Sequence, residues 1–377
     1  MPTKNVLVFI DWFAPAVKAG GPVRSIINIT QLLSTKIEFY IVCGDRDLGD
    51  AEAYPNIVLN AWISTPNAQV MYLSKAQRTA QNYQRLLRQI APDSVYINGL
   101  FSFQFSILPL WVAQQLQCKK IIIAPRGMLG NGALELKALK KKLFLVAFNT
   151  LGKYTNVHWH ATANQEKLEI QKRIVSPKHI TVIANITTAP TVVNVVHKHS
   201  NELRLLFISR ISIKKNLAQA IAIVQQLIKQ HIAVTLDIYG PIEDVAHWQE
   251  LQKSITAATH ITYKGILQPH QFNSTFNTYH ALLFPTMHEN YGHVIAEALS
   301  YGLPVVLSDQ TPWRNLAEKK AGFDIALNNN NEFLNCITQL YAMNNIEFNQ
   351  WQQGAQQLYA TAINNEKLKK EYLQLFN

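Results

Sequence analysis

Acidic residues are scarce in this chain, and so are cysteines and long apolar runs. Asp and Glu number 24 against 35 Lys and Arg, giving a formal net charge of +11 and an isoelectric point near 9.4. That surplus asks for an anionic partner: nucleic acid, an anionic membrane surface or a phosphate-bearing small molecule. Nothing in the sequence carries nucleic-acid binding, for there is no helix-turn-helix, no RNP motif and no basic patch interleaved with aromatics. Cys43, Cys118 and Cys336 stand far apart in apolar surroundings without a CxxC pair. This excludes a disulfide scaffold and leads to the expectation of buried free thiols in a reducing cytosol. The strongest apolar runs, Leu143–Phe148 and Ile121–Ala124, fall well short of the ~20 residues that span a bilayer. The N-terminal run MPTKNVLVFIDWF meets an Asp at once and offers no small-residue cleavage site, so no signal peptide is expected. The chain is expected to be cytoplasmic, or peripheral on the inner face of the cytoplasmic membrane. Twelve histidines are present, yet no pair has the spacing and carboxylate partner of a zinc site. His158, His160, His288 and His293 are therefore read as structural, with His293 worth a mutation for its place beside the strongest motif.

What is present is enough apolar material for full cores, 48% of 377 residues, and a length that suggests two domains of roughly 150 residues or more. Short β-branched runs alternate with helical stretches. Strands are expected at Asn5–Ile10, Ile37–Val42, Ser94–Ile97 and Lys120–Ala124, and helices at the end of Gly20–Leu33, at Ser74–Ile90 and at Ile107–Gln117. A polar, β-branched stretch without helical period marks a linker around 187–201. A second series follows: strands at Leu203–Ile208, Val234–Tyr239, Ile261–Tyr263, Ala281–Phe284 and Pro304–Leu307, and helices at Ala218–Gln230, Glu243–Ala257 and Tyr291–Tyr301. The tail from Asn345 to Asn377 reads as all-helical. Such βαβα order predicts two doubly wound domains with parallel sheets and a cleft between them. Ligands in such folds sit at the carboxyl ends of the strands, which directs interest to the loops after them.

Three of those loops carry chemistry. Gly20-Gly21-Pro22 follows the first strand and opens a helix, so backbone N–H groups can approach an anion there. It is not the GxGxxG of a dinucleotide site, and by itself it fits a plain structural turn better than a ligand site. Arg210 and Lys215 lie five apart in the loop after Leu203–Ile208. A planar fork and a point charge together suit a diphosphate, though a solvated charge pair would look the same. The third loop, Glu289-Asn290-Tyr291-Gly292, precedes a helix that contains Glu297. Gly292 opens the helix N-terminus for a phosphate, and Glu297 is a charge inside the apolar stretch VIAEAL that needs a reason. Capping or pairing with a lysine is the plain alternative for both glutamates.

This third segment resembles the E-x7-E signature of family 4 of the retaining glycosyltransferases, whose fold is GT-B. The likeness extends to the Gly-Gly-Pro loop, APRGML at 124–129, WHATANQE at 159–166, FISR with KKNL, YKG at 263–265 and PVVLSDQTPW at 304–313. The resemblance implies a GT-B fold of two Rossmann-like domains facing a central cleft. The acceptor-binding domain would comprise 1–190 with a returning helix at 358–377, and the nucleotide-sugar domain 191–357. It implies further that Arg210 and Lys215 grip the diphosphate and stabilise the departing nucleotide, so that neither metal nor other cofactor is needed. No DxD flanked as a metal site is present, and Asp45-Arg46-Asp47 is the nearest thing to one. Glu289 would bind hydroxyls of the transferred sugar and Glu297 those of the ribose. The backbone of Asn290, Tyr291 and Gly292 would meet phosphate or sugar; Gly265, Ile266 and Leu267 would edge the base; Gly20 and Gly21 would close over the diphosphate. Where many members have a His, this chain has Arg126, which would stabilise phosphate charge or fix the acceptor, or else hold structure. Glu-Asn-Tyr-Gly replaces the commoner Glu-Gly-Phe-Gly.

The implied activity is retaining transfer from a UDP- or GDP-sugar to a lipid-linked or oligosaccharide acceptor in surface-polysaccharide synthesis (O-antigen, capsule or exopolysaccharide). A GT-B nucleotide-sugar epimerase and a non-catalytic anion binder are the alternatives. Residues 119–142 hold seven basic residues, Lys119, Lys120, Arg126, Lys137 and Lys140 to Lys142, against the one acid Glu135, a net +6. The stretch 135–149 reads as a basic helix with apolar residues beside its lysines, which suits an anionic membrane face or, equally, a solvated basic face over a buried one.

Overall fold

The apolar runs become strands buried on both faces. The computed structural model describes residues 4–130, 133–134, 138–151, 156–187, 195–256, 260–268 and 271–377. Glu135 and Lys137 of the basic stretch, 188–194 of the expected linker and Ala257 lie outside the described residues. In β1 (Lys4–Ile10), Val6 to Ile10 are all at most 1% exposed. This near-continuous burial belongs to a central strand of a parallel sheet, where helices cover both faces.

Contacts divide the chain into two units, Met1–Ile186 with Asn365–Asn377, and Thr187–Asn364. The first unit holds β1, β2 (Ile37–Gly44), β3 (Trp62–Thr65), β4 (Ala68–Leu73), β5 (Ser94–Asn98), β6 (Ile121–Ala124), β7 (Val157–Ala161) and β8 (His179–Val182). Their order is β3-β4-β2-β1-β5-β6-β7-β8. All neighbours pair in parallel except β3, which runs antiparallel to β4 at the edge. The helices are α1 (Gly21–Leu33), α2 (Ala80–Ile90), α3 (Leu108–Gln115), α4 (Ala138–Leu151) and α5 (Asn164–Arg173). The second unit has β9 (Leu203–Ile208), α6 (Leu217–Lys229), β10 (Val234–Tyr239), α7 (Val245–Thr256), β11 (Ile261–Gly265), α8 (Phe272–Phe276) and β12 (Ala281–Phe284). It continues with α9 (His293–Ser300), β13 (Val305–Ser308), β14 (Gly322–Ile325), α10 (Asn330–Ala342) and α11 (Asn345–Ala362). Its sheet order is β11-β10-β9-β12-β13-β14, parallel throughout.

The final helix, α12 (Asn365–Phe376), belongs to the first unit. Phe376 is buried edge-on to Phe39 and Tyr96, and Ser94 Oγ donates to its carbonyl at 3.0 Å. The division therefore falls at Ile186/Thr187 and Asn364/Asn365, where the sequence pointed to 190 and 358.

Several expected elements shift. The helix read over Ser74–Ile90 begins only at Ala80, because Lys75–Gln77 forms a 3-10 turn and Thr79 caps the true start through the Asn82 N–H. The helix read over Ile107–Gln117 covers Leu108–Gln115 behind a π turn at Phe103–Ile107. The one read over Tyr291–Tyr301 is His293–Ser300, because Gly292 caps it in a left-handed conformation. The edge hairpin β3–β4 and the strands β8 and β14 had no counterpart in the sequence reading. All three cysteines are free thiols, Cys43 and Cys336 buried and Cys118 partly so.

Each sheet has one place where the winding reverses. In the second unit it lies between β9 and β12, and in the first between β1 and β5. Loops that leave the carboxyl ends of such neighbouring strands diverge and open a crevice.

Candidate active site

At the β9/β12 reversal, the loop after β9 and the loop after β12 are tied together by one backbone and one side-chain hydrogen bond. The Met287 N–H donates to the Lys214 carbonyl at 2.9 Å, and Asn216 Nδ2 donates to the Pro285 carbonyl at 2.9 Å. Asn216 can do so because it takes a left-handed conformation, φ 57°, between the 3-10 turn Ile213–Lys215 and α6. The same geometry delivers Lys215 to Glu289, with Nζ 2.5 Å from Oε2. Both side chains are mostly out of solvent, 12% and 19% exposed. Lys215 Nζ also stands 5.5 Å above the Phe284 ring. Glu289 is fixed from behind, its N–H donating to the Gln310 carbonyl at 2.8 Å. Burial raises the Glu289 carboxyl, but Lys215, bonded to it, and Lys214 and His293 nearby outweigh burial and hold it below the usual carboxylate value.

Gly292, at φ 77°, completes the turn into α9 as its N-cap and makes no side-chain cap hydrogen bond there. Tyr291 is buried edge-on to His293 at 4.9 Å, with its hydroxyl 3.0 Å from Thr187 Oγ1 and its carbonyl accepting from Trp313 Nε1. Asn290 lies partly exposed between Glu289 and Tyr291. Glu297, half-buried one turn into α9, adds its charge to burial in pushing the Tyr359 phenol up to about 12. The neighbouring His288 has its pKa lowered by burial and by Lys214, and its Nε2 is buried without a hydrogen-bond partner among the described residues.

Arg210 is at the same carboxyl edge but has a different partner. Its Nη1 donates to Glu243 Oε1 at 2.8 Å, and the two side chains are 36% and 40% exposed. A solvated pair like this contributes little to stability and is readily exchanged for another anion. Glu243 is in register because the loops after β9 and β10 are zipped at Ile211, which bonds the Pro241 carbonyl through its N–H and the Glu243 N–H through its carbonyl. Gly265, Ile266 and Leu267 leave the end of β11, next to β10; the Gly265 carbonyl accepts from the Gly240 N–H at 2.8 Å.

Gly20, Gly21 and Arg126 are in the first unit. Gly20 has φ 69° and caps α1. Arg126 follows β6 with a left-handed φ of 56°, and all three guanidinium nitrogens meet neutral acceptors. Nε donates to Asn98 Oδ1 at 2.7 Å, Nη1 to Asn185 Oδ1 at 2.5 Å and Nη2 to the Tyr96 hydroxyl at 2.8 Å. The Tyr96 hydroxyl reaches His160 Nδ1 at 2.7 Å, while His160 Nε2 lies 3.0 Å from the Ile183 carbonyl. A carbonyl only accepts, so Nε2 carries the proton and Tyr96 donates to Nδ1. Burial, and then Arg126, push His160 down to about 3, which keeps the imidazole neutral.

Sequence reasoning missed three supports. Glu166, fully buried, accepts from the Gly127 N–H at 2.5 Å and from the Thr162 N–H and hydroxyl at 2.7 Å, and so locks the PRGML loop onto α5. Its signal was a first-turn acid directly after a buried strand. Glu243 was read as the first residue of a helix, Glu243–Ala257, but α7 begins only at Val245 and leaves Glu243 in the loop. At the first unit's own reversal, Ser102 Oγ donates to Asp11 Oδ1 at 2.6 Å, joining the loops after β1 and β5. The Asp45-Arg46-Asp47 triplet is used internally: Asp45 pairs with Arg46 and Arg78, and Asp47 accepts the N–H groups of Val17, Lys18 and Leu48.

Two Rossmann-like units with parallel sheets make up the GT-B fold. Residues 191–358 match the family described as glycosyl transferases group 1, so the chain carries a glycosyltransferase domain. Sucrose-phosphate synthase of Thermosynechococcus elongatus is similar over 99% of this chain and 98% of its own, with a TM-score of 0.76 at 13% identity. HepE of Anabaena, solved in complex with UDP-glucose, is similar over 99% of each chain, with a TM-score of 0.69 at 14% identity. At such identities the likeness is one of fold. Among curated proteins, the gpi3 subunit of the phosphatidylinositol N-acetylglucosaminyltransferase of Schizosaccharomyces pombe is 25% identical over 138 residues. That match spans 36% of this chain and 30% of the yeast protein.

Proposed function

We propose that the chain is a retaining glycosyltransferase of family 4 that moves a sugar from a nucleotide diphosphate sugar, UDP- or GDP-linked, to a lipid-linked or oligosaccharide acceptor in surface-polysaccharide synthesis. The observation that carries this reading is the Lys215–Glu289 pair at the β9/β12 reversal, with Gly292 as the N-cap of α9 in the same loop. A diphosphate brings the charge that Lys215 and Arg210 can answer: Lys215 from a partly buried site, Arg210 by leaving its solvated contact with Glu243. Charge that develops on the leaving phosphate as the glycosidic bond opens is stabilised by cations already in place, with no reorganisation at that moment. On this reading the leaving phosphate accepts the acceptor's proton, so retention needs no strong protein base. Glu289 stays ionised and orients sugar hydroxyls; Glu297 takes the ribose hydroxyls; Gly265, Ile266 and Leu267 edge the base. The first unit, with Gly20, Gly21 and Arg126, takes the acceptor side. HepE, crystallised with UDP-glucose on the same fold, supports a uridine nucleotide among the donors to be tried.

The test is a panel of UDP- and GDP-sugars with purified protein, read as nucleotide release and as saturable thermal stabilisation. One donor is expected to stabilise the chain. Lys215→Ala and Glu289→Ala are each expected to lower the nucleotide-release rate with that donor by about 100-fold or more. Parental rates in both variants would remove the site assignment. Retention is checked separately, by the anomeric configuration of the product in NMR.

A further inference from the structure

The helix α4 has two apolar faces, and only one of them is used by the fold. Leu145 is 9% exposed within the core of the first unit. Phe144 packs on Phe101 with ring centroids 5.2 Å apart, and Phe148 packs on Trp159. The sequence left the apolar run Leu143–Phe148 open between a membrane-facing side and a buried one. The structure divides it and turns Leu143 and Val146, together with Leu139, to solvent: Leu139 is 71%, Leu143 62% and Val146 59% exposed. At about 100° per residue these three fall within roughly 60° of arc, opposite the buried face. Thr150, also exposed, extends the line by another turn. Lys142 flanks it at roughly 60° on one side and Lys140 at roughly 100° on the other. Both lysines are exposed and form no ion pair among the described residues. No Asp or Glu occurs anywhere in Ala138–Leu151.

We propose that this face of α4 docks on the surface of an anionic lipid bilayer. A row of aliphatic side chains between two lysines matches an interface in which the apolar tips enter the acyl boundary. The lysine stems lie along it, and their ammonium groups reach the lipid phosphates. The choice of a bilayer over a protein rests on charge complementarity: the helix that carries the stripe holds Lys140, Lys141 and Lys142 and no acid, a net +3, and so offers no acidic group to meet a basic partner. Three aliphatic tips are a small apolar area, so binding is reversible and depends on anionic headgroups. The inference deepens the reading of a lipid-linked acceptor, since docking would bring the acceptor-side unit to the surface that holds such a substrate.

The experiment is co-sedimentation of the full chain with vesicles of phosphatidylcholine containing phosphatidylglycerol, and with vesicles of phosphatidylcholine alone, at low and high salt. The wild type is expected to bind the anionic vesicles, to bind the neutral ones far more weakly, and to lose affinity as salt rises. Leu139→Gln/Leu143→Gln/Val146→Gln is expected to weaken binding about tenfold or more. Lys140→Gln and Lys142→Gln are each expected to weaken it roughly fivefold. All five positions are exposed, so the variants should keep the wild-type thermal midpoint; Leu143→Gln alone serves if the triple variant does not. A wild type that ignores anionic vesicles, or a triple variant that binds like the wild type, overturns the proposal. So does a wild-type dimer that the triple variant dissolves without any change in vesicle binding, because the stripe would then be a protein interface. Nucleotide release from the donor without vesicles is measured in parallel and should not change. Its failure in the wild type would count against the transferase reading while leaving the vesicle result intact.

Discussion

The guanidinium of Arg126 is committed to Asn98, Asn185 and Tyr96, three neutral partners fed by β5, by the residues after β8 and by the β5 strand again. A planar fork spreads its donors over three separate nitrogens; an ammonium also has three donors, but they diverge from one nitrogen on a different stem and cannot reach acceptors placed at all three guanidinium nitrogens. Arg126→Lys should therefore leave two of these acceptors unmatched and destabilise the first unit by about 2–4 kcal/mol. Chemical denaturation of the full chain measures this, with donor-only nucleotide release as the control, which should hold. Wild-type unfolding together with lost sugar transfer would instead make Arg126 a residue that touches substrate. From the sequence Arg126 could be placed after a strand, but not given partners, because Asn98 and Asn185 are far from it along the chain. Lys215 and Glu289 were legible for a related reason: each follows a strongly apolar strand, β9 and β12, so each had to emerge at a carboxyl edge. That those two strands are neighbours is long-range information, which local pattern does not hold.

Elements began where capping residues placed them rather than where helical composition did. The Gln- and Arg-rich stretch from Ser74 has good helix formers throughout, yet Thr79 sets the start of α2. The strands β8 (HITV) and β14 (GFDI) passed unread because polar residues and a glycine interrupt them, whereas the equally short β6 (IIIA) and β12 (ALLF) are apolar throughout. The start of α9 shows how much one residue decides. At Gly292 the backbone is left-handed, and an added Cβ would meet Ile295 Cδ1 at 2.6 Å and Glu289 Cγ at 3.2 Å. Gly265 is also left-handed, φ 85°, but has open space around it. Both substitutions to Ala carry a conformational cost of about 1 kcal/mol. Only Gly292→Ala adds steric displacement of Ile295 and Glu289, raising its cost to about 2–3 kcal/mol. Denaturation midpoints of the two variants should separate accordingly. Nucleotide release should fall much further in Gly292→Ala, because the displaced Glu289 is the partner of Lys215. Equal effects would mean that the α9 turn relaxes without moving the site.

At the scale of the whole molecule, more than half of the +11 charge lies in residues 119–142, and the fold adds a second electrostatic feature that the sequence did not disclose: imidazoles held neutral in both units. Burial is the first cause at each. It brings His158 to about 4 with help from Lys120 and His179, His160 to about 3 with help from Arg126, and His280 to about 3 with help from Arg204 and Lys198. Their folded pKa values lie below the unfolded value of about 6.5, so the unfolded chain binds more protons than the folded one from about pH 6.5 down to about pH 4 for His158 and about pH 3 for His160 and His280. Stability must fall as pH drops through that window, by up to about 1.4 kcal/mol per pH unit for each imidazole. Glu289, whose carboxyl is depressed, acts in the same direction but later: its contribution is present above the ordinary carboxylate pKa and is lost only as pH falls through the lower folded one. The thermal midpoint should thus begin to fall near pH 6, well before carboxylates titrate. His160→Gln should flatten the upper part of that fall, although it lowers the midpoint at neutral pH through the lost Tyr96 contact. A midpoint that is level from pH 6.5 to 5 would contradict the neutral imidazoles. Each histidine that charges on unfolding also adds to a chain that is already strongly positive, so self-repulsion favours the expanded state further and steepens the same limb.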